Sequence, residues 1–140
     1  MKKLIYFVLA IAAAGVVASC GGGASTPGAA AKTYMEAMAA GNYDKFMDGI
    51  YMDPEDVADE DPETIERQKT MLKAMLEEKG AQSIEENGKI EKIEVLSEEI
   101  AEDGQTADVT LLLTYDTGET EEETVDMHLD GNSWKMEMSK

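Results

Sequence analysis

Cysteine is almost absent from this chain. Of 140 residues only Cys20 carries a thiol, so no disulfide can close within the molecule. Basic residues are scarce as well, with 12 lysines and arginines against 30 acids and a formal net charge of −18. A body this acidic is repelled by phosphates and by anionic headgroups, which excludes nucleic acid as a partner. Histidine, arginine and tryptophan occur once each, as His128, Arg67 and Trp134. Phosphate clamps and serine–histidine or cysteine–histidine catalysis therefore have almost no side chains to draw on. Long apolar runs are missing too. The longest, from Leu4 to Ala18, falls short of the roughly 20 residues that cross a bilayer as a helix.

What is present begins at the N-terminus. Lys2 and Lys3, followed by the apolar run and Val17-Ala18-Ser19-Cys20, form an export leader with a small-residue cleavage site. The ending resembles the lipobox of bacterial lipoproteins (Leu/Val, Ala/Ser, Gly/Ala/Ser, Cys), matched at all four positions. That resemblance implies cleavage between Ser19 and Cys20 and lipidation of Cys20. Two or three acyl chains anchor stably, whereas one myristoyl chain binds at only about 10⁴ M⁻¹. Gly21, Gly22 and Gly23 follow where retention signals would stand, so the expected location is the outer membrane, at its periplasmic face, with surface exposure as the alternative. Residues 1–19 are then a signal peptide, 20–27 the lipidated Cys and a flexible tether, and 28–140 the domain. Without Lys2 and Lys3, the leader's only charged side chains, the net charge becomes −20.

Helical signals fill the first half of the domain. Thr26-Pro27 reads as an N-cap and first-turn proline, with Tyr34, Ala37, Met38 and Gly41 on one face and Gly41 as the stop. Asn42 caps a short second helix with Tyr43, Phe46, Met47 and Ile50 on one side and Asp44 in its first turn. Asp61-Pro62 opens a third helix expected to run to about Lys79, with Ile65, Leu72, Met75 and Leu76 as its core stripe and Gly80 as its stop.

After Asn87-Gly88 the pattern turns to period two, punctuated by Gly104, Gly118 and Gly131. Four antiparallel strands in a meander follow. A two-residue Gly131-Asn132 turn opposes Leu129 to Trp134, Met127 to Met136 and Val125 to Met138, and a bulged loop at Gly118 opposes Val109 to Val125 and Ala107 to Met127. An Asp103-Gly104 turn opposes Ile100 to Ala107 and Leu96 to Leu111. Ile93 and Val95 then fall out of phase unless a bulge lies near Val95.

Three helices followed by a curved four-stranded meander resemble the cystatin-like cone of nuclear-transport-factor-2-like domains, and more narrowly the domain-of-unknown-function lipoproteins that share it. The residues carrying this are Pro27, Gly41-Asn42-Tyr43-Asp44-Lys45-Phe46, Lys89-Ile90-Glu91-Lys92-Ile93, Ala107-Asp108-Val109-Thr110 and Asp130-Gly131-Asn132-Ser133-Trp134-Lys135. The expected class is α+β, with the helices packed on the sheet. The resemblance brings no catalytic residue.

His128 alternates with the inward Met127 and Leu129 and is expected to face water; Arg67, near Glu63 and Glu66, is expected to form a surface ion pair. The methionines, including Met35, Met38, Met136 and Met138, suit a core better than a copper site. The acidic run from Asp53 to Asp61 lacks the alternating spacing of a calcium loop. No metal or other cofactor is therefore expected. Glu119, Glu121 and Glu123 share the parity of Val125 and Met127, so they are expected to rim an open end of the cone, where a cationic ligand or a hairpin tip in water would account for them. With apolar inward positions, the expectation is a noncatalytic binding or interaction module for a small ligand or an envelope protein. The alternative is a hydrolase or isomerase that uses a carboxylate as its base.

Overall fold

The computed structural model describes residues 26–138. The expected cleavage and lipidation site, Ser19 and Cys20, and the tether before Thr26 lie outside the described residues. Helices α1 (Pro27–Ala39), α2 (Tyr43–Asp48), α3 (Pro54–Val57) and α4 (Pro62–Asn87) precede strands β1 (Ile90–Ile100), β2 (Thr106–Tyr115), β3 (Thr120–Asp130) and β4 (Ser133–Met136). The four strands form one antiparallel meander in the order β1-β2-β3-β4. The class is α+β, as the sequence predicts.

Each helix starts where a short polar side chain can satisfy its orphan amides. Thr26 Oγ1 accepts from Ala29 N at 3.2 Å, Asn42 Oδ1 from Lys45 N at 3.3 Å and Asp61 Oδ1 from Thr64 N at 2.9 Å. Asp53 caps α3, a turn not anticipated from the sequence, through Glu55 N at 2.9 Å. The acidic run therefore spends two of its carboxylates, Asp53 and Asp61, on helix starts. No acid stands in the first turn of α1. Glu98 of β1 supplies it from a distance, its Oε2 accepting from Gly28 N at 2.8 Å and setting a negative charge against the positive helix end.

One face of the sheet packs on α1, which lies across all four strands. Val109, Leu111 and Met127 are fully buried there, joined by Ile93, Leu113, Trp134 and Met136. From α1 come Ala30, Ala31 and Met35, whose small neighbours let the helix sit close to the strands, while Tyr34 and Met38 are half-buried. Among the described residues the buried apolar cluster runs from Ala30 to Met136, and Pro27 at the start of α1 is buried as well.

The hairpin registers hold as expected at Leu129–Trp134, Met127–Met136, Val109–Val125, Ala107–Met127 and Ile100–Ala107. Three details differ. The bulge falls at Leu96, between Val95 and Ser97, so Val95 and not Leu96 opposes Leu111; this single insertion restores Ile93 to the inner face. A second irregularity lies between Ile90 and Lys92. β4 ends at Met136, leaving Met138 unpaired with Val125 and exposed. The outer edge of β4 is covered instead by residues 49–51, with Met136 N donating to Gly49 O and Tyr51 N to Met136 O. This pairing protects an edge that would otherwise be open.

The third expected helix changes most. α4 does not stop at Gly80 but continues seven residues to Asn87, and Gly88, with φ +87°, closes it. Gly80 serves a different purpose. The Tyr43 hydroxyl lies against its Cα in the space a Cβ would fill, so the missing side chain admits close contact between α2 and α4. A salt bridge of 2.8 Å between Lys73 and Asp44 joins the same two helices. The predicted core stripe of α4 is only partly covered. Ile65, Leu72 and Leu76 are half-buried, Met75 is exposed, and no residue of the helix is fully buried.

Candidate functional site

Because α4 rests on α2 and stands away from the sheet, a groove opens between its second half and the start of β1. Met38 and the end of α1 form one wall, Leu76 and Ile84 of α4 another, with Tyr43 and Ile90 completing the lining. The cavity measures about 460 Å³ and is partly open to solvent. Its size suits a small ligand, since such sites span about 300–1,000 Å³. Lys79 and Lys89 stand at its margin, and no aspartate or glutamate lines it.

A second hollow lies at the far end of α4, where Asn87 approaches the β2–β3 hairpin. It is polar and lined by Tyr115, Glu119, Thr120 and Glu121. The two elements are clasped at its base, with Lys89 N donating to Asp116 Oδ1 at 3.2 Å and Asp116 N to Lys89 O at 2.8 Å. Glu121 and Glu123 pair with Leu113 and Leu111, two inward residues, so the inner-face parity expected for them is found. Their surroundings divide them. The Tyr115 hydroxyl donates to Glu121 Oε2 at 2.8 Å. Its own acidity is suppressed by burial, by that hydrogen bond and by the charges of Glu121 and Glu123, which push its pKa up to about 12. Glu123, though accessible along its edge, is raised above the ordinary glutamate value first by desolvation and then by Glu121. Glu119 is exposed at the hairpin tip.

His128 lies on the outer face, opposite the inward Met127, as expected, but is half-buried there rather than free in water. Its ring stacks on Tyr51 with centroids 4.0 Å apart and planes 20° from parallel, a contact made when residues 49–51 fold over the β4 edge. That segment carried no strand signal, which is why the contact was not legible. Arg67 pairs with Glu63 at 2.7 Å along an exposed turn of α4, as predicted. Among the described residues no group of three potential ligands is placed to hold a metal ion, and no helix is long and apolar enough to cross a membrane.

Comparison with family models bears on the whole domain. A model described as a domain of unknown function, DUF4878, matches residues 18–137. The chain belongs to this family. Among solved structures, a Campylobacter jejuni protein that carries the name NTF2-like transpeptidase superposes with a TM-score of 0.62 at 15% identity, over 82% of this chain and 100% of its own. A SEC-C motif-containing protein of Rhodopseudomonas palustris superposes with a TM-score of 0.52 at 14% identity, covering 84% and 80% respectively. At these identities the likeness concerns the fold, and it establishes an NTF2-like architecture for this DUF4878 domain. A search of curated proteins returned no match.

Sequence reasoning placed Glu121 and Glu123 on the inner face but missed Tyr115, Asn87 and the apolar groove. Tyr115 was detectable as the last inward residue of β2. The groove was not, because its walls come from three separate stretches, 38–43, 76–84 and 88–90.

Proposed function

We propose that this DUF4878 domain is a noncatalytic binding module, held at the cell envelope by lipid on Cys20, that takes a ligand in the groove between α4 and β1. The groove itself carries the reading: an apolar, partly open cavity of about 460 Å³ beside a core that is already filled. Its volume and mostly apolar walls are those of a small-ligand site. The lipobox residues Val17, Ala18, Ser19 and Cys20 support the anchor, and the acidic body leaves acyl chains as the attractive contact with the bilayer. The outer membrane, at its periplasmic face, is the proposed location.

The raised pKa of Glu123, caused first by desolvation and then by Glu121, favours a second reading, a hydrolase or isomerase that uses this carboxylate as its base. It is the weaker reading, since the neighbouring Tyr115 is bound to Glu121 and too weak an acid to exchange protons near neutrality. Acyl transfer of the kind the Campylobacter protein's name denotes calls for an activated nucleophile. Ser83 lines the groove here, but the single histidine is stacked on Tyr51 at the outer face of the sheet.

Two measurements test the proposal. Wild-type protein should require detergent for extraction from envelopes, and Cys20→Ala should not; a detergent requirement in the variant would rule out the lipid anchor. The domain should gain thermal stability on addition of envelope extract, and Ser83→Trp, which fills the groove, should remove that gain. A gain that survives Ser83→Trp places the ligand elsewhere.

A further inference from the structure

The groove differs in charge from everything around it. Outside the leader this protein carries a net charge of −20, yet no acid lines the groove and two lysines do. Lys79 and Lys89 are also distinctive among the cations. Lys32, Arg67, Lys69, Lys73 and Lys92 each pair with a carboxylate, and Lys135 Nζ donates to the Asp48 carbonyl. Among the described residues only Lys45, Lys79 and Lys89 lack such a partner, and two of these three stand at the same opening. In a chain with 30 acids, two lysines without a carboxylate partner beside an apolar cavity give that cavity a local positive charge that an anionic group would complement. The carboxylates nearest in sequence, Glu77, Glu78, Glu85 and Glu86 on α4, do not line the cavity.

From this we infer that the ligand is a free single-chain amphiphile with an anionic head, such as a fatty carboxylate. Its chain lies against Met38, Leu76, Ile84 and Ile90, and its head is held between Lys79 and Lys89. The inference rests on the groove being the binding site, as proposed above. Charge complementarity selects the head, and the apolar walls select the tail. The overall charge of the domain repels the same anion at a distance, but that field is screened over about 8 Å at physiological salt, so the two lysines that line the groove govern the bound state. Exposed lysines contribute modestly, and together they should favour a carboxylate over a neutral head by about tenfold.

Titration calorimetry on the leaderless chain from residue 20, carrying Cys20→Ala and free of detergent, provides the test with octanoate, octanol and octylammonium below their micelle concentrations. Octanoate should bind about tenfold more tightly than octanol, and octylammonium more weakly than either. Each methylene added to the carboxylate should tighten binding about fourfold. Lys79→Gln combined with Lys89→Gln should bring octanoate down to octanol while leaving octanol unchanged. Equal binding of all three heads would overturn the anionic ligand and leave an apolar site standing. Absence of binding by all three would overturn the groove reading with it. Tighter association with anionic vesicles than with octanoate would overturn the free amphiphile in favour of a bilayer surface.

Discussion

The two helical contacts of this domain are built in opposite ways. α1 buries alanines and Met35 on a sheet face where Val109, Leu111 and Met127 have lost all contact with water. α4 is twice as long, yet it buries no residue fully and leaves Met71, Met75 and Ile84 in solvent. It is held by a tyrosine hydroxyl fitted against Gly80, one exposed salt bridge and the clasp at its end. The first arrangement makes the fold stable, because apolar area removed from water is the main favourable term. The second leaves a gap beside that stable body, and the gap is where a ligand can be taken without rebuilding the core.

The comparison is broken most directly by truncating one side chain from each half. Trp134→Ala removes the largest core group and should cost about 3–5 kcal/mol, read from the denaturation midpoint at constant slope. Ile84→Ala, on the groove wall, should change stability by less than about 1 kcal/mol, because its side chain is already exposed. Similar losses for the two would mean that α4 belongs to the core, and that the groove closes in solution.

A smaller effect sharpens the account of how α4 is held. Gly80→Ala should destabilise the wild type, since the new Cβ meets the Tyr43 hydroxyl. In a Tyr43→Phe background that obstacle is gone, and the same substitution should stabilise by about 0.5–1 kcal/mol through helix propensity. The sign reversal, measured as a double-mutant cycle, is the diagnostic. Stabilisation in both backgrounds would show that the two helices are not in close contact at this point.

These differences also explain what the sequence could tell. The strands were legible down to individual opposed residues, because alternation with glycine turns fixes both face and register. The starts of α1, α2 and α4 were legible for a similar local reason, each marked by a cap and in two cases a proline, whereas the same Asp53-Pro54 signal at the one-turn α3 was not read as a helix start. α4 was not, since an internal glycine reads as a stop unless one knows that Tyr43, 37 positions earlier, requires the space. The bulge was expected near Val95 and lies at Leu96; only the partner of Leu111 was misassigned, because Val95 and Leu96 are both apolar and either can be turned outward. Of the glutamates, the inner-face placement of Glu121 and Glu123 followed from parity, whereas Lys79 and Lys89 become related only when α4 continues past Gly80 to bring its end beside β1.

The smallest expected effect lies at the mouth of the sheet, beyond the filled core. Glu123 binds its proton more tightly in the folded chain than unfolded glutamate does, because water is partly withdrawn and Glu121 adds a like charge. Between the ordinary value near 4.5 and the raised folded value, the folded state holds the extra proton, so stability falls as pH rises through that window and stays reduced above it. Asp61 works in the opposite sense. Its hydrogen bonds from Thr64 hold its carboxyl below the usual range, and the stability it contributes is lost as pH falls through that lower value. Glu123→Gln should therefore flatten the decline just above pH 4.5 and raise stability at neutrality, leaving the acid limb set by Asp61 in place. Glu122→Gln makes the same change in net charge on the outer face, opposite Leu112, and should leave the decline as it is. If both variants flatten it equally, the slope reports general repulsion in an acidic protein. If only Glu123→Gln does, the inner face at this end holds a carboxylate short of water, and the division between a filled half and an open half extends to the hairpin.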